Sequence, residues 1–188
     1  MRFLPGLICL LPLLSPLAHA ELIDDVNDRG ELRIALEANT APFNFKEEGK
    51  LTGFEVELGE MLAAELDVRP DFVVTDAADL LSGVESGKYD VAINHIAMTP
   101  ELAERFDTSA TYSQPDAQLL ASKEEAQRPL VLAQSFQPEE KKEPAPNLVI
   151  PFQKGNPAFK ASVDNALGRI KDDGRLEQLT QKWLVKPE

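Results

Sequence analysis

Residue types that commonly carry out catalysis or bind metals are scarce in this chain. It contains one cysteine, Cys9, and two histidines, of which only His95 lies beyond the apolar N-terminal stretch. Zinc sites use three or four His, Cys or carboxylate ligands, so His95 beside Asn94 does not form a metal site by itself. The sequence has no Gly-x-Ser-x-Gly elbow and no glycine-rich phosphate loop. We therefore expect a protein with no metal, no cofactor and no enzymatic activity.

The first 20 residues are typical of a cleavable signal peptide. Arg2 supplies a positive charge, an apolar stretch runs from Leu4 to Leu17, and Ala18-His19-Ala20 fits a signal-peptidase site. The stretch is shorter than the roughly 20 apolar residues that a membrane-spanning helix needs. We therefore expect cleavage after Ala20 and a periplasmic location for residues 21–188.

The charge balance bears on the class of partner. The chain has 32 acidic and 19 basic residues and a formal net charge of −13. Nucleic acids and anionic lipids require a basic face on the protein. We therefore expect neither as a partner.

Apolar periodicity predicts alternating strands and helices over the first half of the chain. The predicted strands cover 32–36, 71–75 and 89–93. The predicted helices cover 54–66 and 78–84, and a third begins at Pro100 with Thr99 as its cap. This order implies parallel strands with helices packed against the sheet, which is an α/β fold.

The middle of the chain has the composition of a linker. Residues 123–146 are rich in proline and charge, and only Leu130-Val131-Leu132 within them favours a strand. We expect residues 134–146 to be mobile.

Order is predicted to resume at 148–150. The Asn156-Pro157 step then favours a helix that ends near Gly174, and a last helix includes Trp183. The predicted units are residues 21–122 and 147–188, which together form one core.

Several short phrases follow one another in a fixed order along the chain. They are Glu31–Ala35, Ala41–Phe45, Gly49–Leu58, Ser86–Val91, Met98–Glu101, Phe106–Ser109, Lys154–Pro157, Asp172–Gly174 and Lys182–Leu184. Through them the sequence resembles the periplasmic solute-binding proteins of polar amino-acid ABC transporters. This resemblance implies a type II periplasmic-binding-protein fold, in which two α/β lobes enclose the ligand and the C-terminal part returns to the first lobe.

The resemblance also implies that the second lobe is largely absent. Only residues 114–146, which number 33, separate the two parts that resemble the first lobe. A packed lobe needs about 50 residues or more. We therefore expect a single lobe of the type II fold, with a mostly parallel sheet flanked by helices.

The resemblance assigns roles to positions that this chain fills unusually. Glu37 stands where an acidic residue pairs with the ammonium group of an amino acid, and Thr40 replaces an aromatic ring that stacks on the ligand. Asn94-His95-Ile96-Ala97 replaces a hydroxyl-bearing segment, and Leu102 replaces an arginine that clamps the carboxylate, with Arg105 three positions on. We therefore expect a degenerate site that binds free α-amino acids poorly.

The candidate ligand-binding residues are Glu37, Thr40, Asn94, His95, Thr99 and Arg105. Two of them have plain structural alternatives. Glu37 is equally well explained as a solvated carboxylate at a strand end. Thr99 is better explained as a helix cap than as a ligand contact.

Two functions follow from these observations. In the first, the protein is a periplasmic solute-binding protein with a degenerate amino-acid site, and its partners are a small polar solute and a membrane permease. In the second, the one-lobed scaffold is an interaction or regulatory module for another periplasmic protein. A homodimer is compatible with the first function, because a second copy would supply the missing wall of the site.

Overall fold

The computed structural model describes residues 21–114 and 146–185. Three segments lie outside this part. They are the predicted signal peptide, residues 115–145 with the predicted strand at Leu130–Leu132, and residues 186–188. The helices and strands before the linker are α1 (Leu22–Arg29), β1 (Glu31–Leu36), β2 (Asn39–Thr40), β3 (Asn44–Glu47), β4 (Lys50–Thr52), α2 (Phe54–Glu65), β5 (Arg69–Val74), α3 (Ala77–Glu85), β6 (Val91–Ala92), α4 (Pro100–Arg105) and β7 (Phe106–Thr108). After it come β8 (Pro151–Gln153), α5 (Pro157–Asp172) and α6 (Arg175–Trp183).

The main sheet has five strands in the order β5-β1-β6-β8-β7. β1 pairs in parallel with β5 and β6, whereas β8 runs antiparallel between β6 and β7. The strand that follows the linker therefore lies inside the sheet formed by the first half of the chain. The α/β class is as predicted. The sheet was expected to be mostly parallel but is mixed, because both pairings of β8 are antiparallel.

The sheet separates two apolar cores because successive side chains of a strand point to opposite faces. On β1, Leu32 and Ile34 pack among residues of α1, α2, α5 and α6. Ala35 packs on the other face, with residues of α3 and α4 such as Leu80 and Leu102. Among the residues that the structure describes, four helices therefore pack on one face and two on the other.

Several element predictions are confirmed and others need correction. The predicted helices at 54–66 and 78–84 and the Thr99 cap are present within one residue at each end. The predicted strand at 89–93 narrows to β6. Where order was predicted to resume, Leu148 forms single bridges to Ala97 and Ser113, and β8 begins at Pro151.

Further elements were not predicted, and one expected cap bond is absent. The missed elements are α1, the three strands of the antiparallel sheet β2-β3-β4, and β7. Asn156 does not cap α5, because its side-chain carbonyl instead accepts a hydrogen bond from the backbone N–H of Leu22 at 2.9 Å.

Candidate functional site

The two central parallel strands end side by side, and each is followed by a polar residue. Ile34 of β1 lies opposite Val91 of β6, so Glu37 and Asn94 both follow the C-terminal edge of the sheet. Open α/β sheets generally bind ligands at this edge. Glu37 and Asn94 are called the site pair below.

The site pair is joined by two hydrogen bonds. The side-chain carbonyl of Asn94 accepts from the backbone N–H of Glu37 at 3.1 Å, and its amide donates to Glu37 Oε2 at 2.8 Å. The second oxygen, Oε1, accepts from the side chain of Asn39 at 3.3 Å. The carboxylate is therefore oriented by two neutral amides while its side chain remains partly exposed.

No cation of the described residues neutralises this carboxylate. Within residues 21–114 and 146–185, Glu37 forms no ion pair with a Lys, Arg or His side chain. An oriented and unneutralised carboxylate is a good acceptor for an ammonium or guanidinium group.

Thr40 contributes to the site indirectly. It is buried, and its hydroxyl donates to the side-chain carbonyl of Asn39 at 2.7 Å. Asn39 in turn donates to Glu37. Thr40 therefore helps to orient the acidic side chain.

His95 directs its polar groups inward, towards Glu55. Its backbone N–H donates to the carboxylate of Glu55, and Nδ1 of its ring lies 3.7 Å from Glu55 Oε2. The ring centroid is 5.7 Å from that of Phe43. The side chain of His95 is only 12% exposed, so His95 is mostly buried at this edge of the sheet.

Thr99 acts as a helix cap. Its side-chain oxygen accepts from the backbone N–H of Leu102 at 3.1 Å, which satisfies a free donor in the first turn of α4. Leu102 itself is buried against the apolar core of α3 and α4.

The structure does not bring Arg105 to the site pair. Arg105 pairs with Glu85 at 2.6 Å, and this contact lowers the pKa of Glu85. β7 runs in the same direction as β6 and begins at Phe106, so Arg105 lies near the edge where the parallel strands begin. α4 carries the chain from one edge to the other, which separates this guanidinium from Glu37.

Three buried polar residues that were not predicted support the site pair. Asn44, Glu55 and Tyr112 all lie in the interior of the described structure. Asn44 donates to Glu55 Oε2 at 2.5 Å and to the side-chain carbonyl of Asn94 at 3.1 Å. Tyr112 donates to Glu55 Oε1 at 2.7 Å.

One sequence signal points to Glu55. It is separated by three and seven residues from Leu58 and Leu62, which places it on the buried face of α2. A glutamate on such a face requires hydrogen-bond partners. Burial and the neighbouring Glu55 raise the pKa of Tyr112 well above its usual value, so the phenol keeps the proton that it donates.

Two large concavities lie away from the site pair. One, of about 760 Å³, is lined by residues of the 111–114 segment and α6, including Thr111 and Glu177. The other, of about 650 Å³, includes Asp25, Glu85 and Arg105. The site pair instead lies on an open edge.

The described residues contain neither a membrane-spanning helix nor a cluster of metal ligands. None of their helices is long and apolar enough to span a bilayer. No group of three or more His, Cys, Asp or Glu side chains in this part is arranged to hold a metal ion.

Several known proteins that are similar to this chain are named as solute-binding or amino-acid-binding proteins. Residues 32–186 match the model of the bacterial extracellular solute-binding proteins, family 3. The L-cystine-binding protein TcyJ of Escherichia coli K12 is 36% identical over 107 residues, which are 56% of this chain and 40% of that protein. The probable amino-acid-binding protein YxeM of Bacillus subtilis 168 is 31% identical over 97 residues, 52% of this chain and 37% of that protein. The matches therefore span less than half the length of these relatives.

Solved structures show the same fold. An ancestral cationic amino acid solute-binding protein, AncCDT-1, aligns with a TM-score of 0.68 at 21% identity and covers 87% of this chain and 99% of that chain. The arginine-bound form of domain 1 of TmArgBP aligns with a TM-score of 0.60 at 22% identity, covering 78% of this chain and 98% of that chain. The single-lobe architecture agrees with the prediction. This chain belongs to the bacterial extracellular solute-binding proteins of family 3.

Proposed function

We propose that this chain is a periplasmic solute-binding protein that works with an ABC-transporter permease and receives the amino group of its solute on the site pair. One observation carries the proposal: the Glu37 carboxylate is oriented by Asn94 and Asn39 at the sheet edge, with no cation of the described residues beside it. An ammonium group would donate hydrogen bonds to the Glu37 carboxylate and neutralise its charge.

The names of relatives support an amino-bearing solute. TcyJ is named for L-cystine, and a relative in Campylobacter jejuni that is 30% identical over 89 residues is named a probable histidine-binding protein. These names favour the solute-binding function over the interaction module. The arginine-bound domain 1 of TmArgBP also indicates that a single domain of this fold can hold an amino acid.

We propose that free α-amino acids bind weakly. Leu102 is buried in an apolar core and Arg105 is paired with Glu85 at the other edge. Neither is therefore placed to hold a carboxylate in this conformation. A single exposed ion pair at Glu37 contributes at most about 1 kcal/mol, whereas micromolar binding requires about 8 kcal/mol.

Two further parts of this function remain predictions. Enzymatic relatives exist, since the membrane-bound lytic murein transglycosylase F of Maricaulis maris is 30% identical over 106 residues. The expected lack of catalysis is tested by incubating the protein with peptidoglycan. The homodimer with which this function is compatible is tested by sedimentation velocity with and without added solute.

The test of solute binding is an amide NMR titration. L-Histidine, L-arginine and L-cystine would be added to the mature protein and to two variants, Glu37→Gln and Glu47→Gln. Glu47 lies exposed on β3 and is the matched control. We expect the solute to shift the amide signals of the site pair, and only Glu37→Gln to weaken this effect. Equal binding by all three proteins would contradict the proposal.

A further inference from the structure

Glu55 is a fully buried carboxylate that contacts three separate segments of the chain. It accepts hydrogen bonds from the side chain of Asn44, the backbone N–H of His95 and the hydroxyl of Tyr112. A carboxylate removed from water is stable only when its oxygens receive donors in this way. These partners come from β3, the loop after β6 and the segment that precedes the linker.

The start of α2 places this carboxylate. Backbone N–H groups of Phe54 and Glu55 donate to the carbonyls of Pro42 and Phe43 at 3.0 and 2.8 Å. These bonds fix the first turn of the helix against the loop before β3. Glu55 lies in that turn, where the helix dipole favours negative charge.

Two strained backbone positions are held by this network. Ala38 has a φ of 60° and His95 a φ of 43°, which is the left-handed region that non-glycine residues rarely adopt. The N–H of Ala38 donates to the side chain of Asn44 at 2.9 Å, and that of His95 donates to Glu55. Strained residues at functional sites persist when surrounding contacts over-determine them.

Each strained residue directly follows one member of the site pair. Ala38 follows Glu37 and His95 follows Asn94. Asn44 links Glu55 to the site pair, since its amide donates both to Glu55 and to Asn94. A continuous series of hydrogen bonds therefore runs from Tyr112 through Glu55 and Asn44 to the site pair.

We propose that Glu55 is the positioning residue of the solute site, an inference that rests on the proposed function of the site pair. Its carboxylate holds the loop after β6 and, through Asn44, the turn after β1. Glu55 itself does not touch the solute. When Glu55 cannot accept all three hydrogen bonds, the two turns relax, and Glu37 and Asn94 lose their fixed positions relative to each other.

Tyr112 extends this role to the segment that leads into the linker. The backbone of Tyr112 donates to the carbonyl of Leu148 at 3.0 Å. The loop after β6 contacts the same returning segment, where the N–H of Val149 donates to the carbonyl of Ile96 at 3.0 Å. Glu55 thus sets the site pair in relation to the two described segments that lie on either side of residues 115–145 in the sequence.

The test compares two buried carboxylates that differ in their link to the site. Glu55→Gln keeps the size of the side chain but puts an amide among three donors. Asp90→Asn is the control, because Asp90 is equally buried and binds Arg29 and Arg33 instead of site residues. Tyr112→Phe removes one donor and serves as a milder second variant.

Two readouts are needed. The amide chemical shifts of Ala38 and His95 without any ligand report the positioning itself. The Kd for L-histidine, from NMR titration, reports the site. We expect Glu55→Gln to move both amide signals and to weaken binding by up to about fivefold, the effect of losing one exposed ion pair. Asp90→Asn should lower stability but leave both readouts unchanged.

The outcomes separate this inference from the proposed function. If Glu55→Gln and Tyr112→Phe leave the Ala38 and His95 signals in place, Glu55 has no positioning role. If Asp90→Asn moves them as much as Glu55→Gln does, the effect is general loss of packing and the inference is also wrong. If the signals move but Glu37→Gln does not affect binding, the positioning stands and the proposed function fails. If Glu55→Gln does not fold, Tyr112→Phe decides by the same two readouts.

Discussion

Asn94 and Glu37 hold each other through a reciprocal pair of hydrogen bonds, although 57 residues separate them. The Asn94 carbonyl accepts from the Glu37 backbone, and the Asn94 amide donates to the Glu37 side chain. One asparagine thereby fixes both the direction of the chain after β1 and the direction of the carboxylate. The acidic group at the sheet edge is therefore an ordered feature of the lobe.

Replacing Asp90 should strongly destabilise the protein. Asp90 is buried and accepts hydrogen bonds from the Arg33 backbone, the Arg33 guanidinium and Arg29. Asp90→Ala leaves these donors without their acceptor, so we expect the free energy of unfolding to fall by about 3 kcal/mol.

Urea denaturation measures this change, and Glu31→Gln is its control. Glu31 pairs at 3.5 Å with Arg69, whose side chain is 81% exposed, so its loss should cost less than about 1 kcal/mol. Equal losses for the two variants would mean that burial does not strengthen the Asp90 contacts.

Two glycine-to-alanine substitutions should have opposite effects. Gly53, before α2, has a φ of 123°, and an added Cβ would lie 2.3 Å from the Phe43 carbonyl oxygen. Gly53→Ala should therefore destabilise by about 2 kcal/mol or more.

Gly168 provides the contrast, because it lies inside α5 with no atom near an added Cβ. Gly168→Ala should stabilise by about 0.5–1 kcal/mol. Thermal unfolding of both variants checks the pair, and a tolerated Gly53→Ala would contradict the described start of α2.

Acid should weaken the contact between α2 and the C-terminal helices. Hydrogen bonds from Arg169 and Arg175 lower the pKa of Glu65. A carboxyl whose pKa is lower in the folded state stabilises the protein above its unfolded pKa of about 4.3, and this stability is lost as the pH falls through the folded value.

Glu65→Gln should therefore show a smaller loss of stability between about pH 5 and pH 3 than the unchanged protein. Glu60→Gln is the control, since Glu60 is exposed on the same helix and forms no ion pair with a described residue. Urea denaturation at several pH values measures the slopes. Identical slopes for the Glu65 variant and the unchanged protein would contradict a role for this contact.

Local patterns predicted the elements that depend on neighbouring residues. α2 and the Thr99 cap were found because apolar spacing and cap chemistry are contained in short windows of sequence. α1 was missed, since Asp24, Asp25 and Asp28 leave it few apolar residues. The strands of the small sheet are two to four residues long, which is too short for an alternating pattern.

The polar interior could not be predicted because its contacts join distant parts of the chain. Glu55 lies 40 residues from His95 and 57 from Tyr112. The position of Arg105 depends likewise on the direction of β7 within the sheet. Glu37 and Asn94 were identified only through the family resemblance, which assigns ligand contacts to their positions. Their closeness agrees with the register of β1 and β6, whose ends lie side by side.

The proposed role of Glu37 is to receive the amino group of a solute at the sheet edge. It is best tested by calorimetry of residues 21–188 and of the Glu37→Gln variant with a panel of the standard amino acids, followed by amide NMR mapping of any that bind. We expect no Kd below micromolar, signal changes at Glu37 and Asn94, and weaker binding by Glu37→Gln. A submicromolar Kd, or signal changes confined to the concavity around Thr111 and Glu177, would contradict this role.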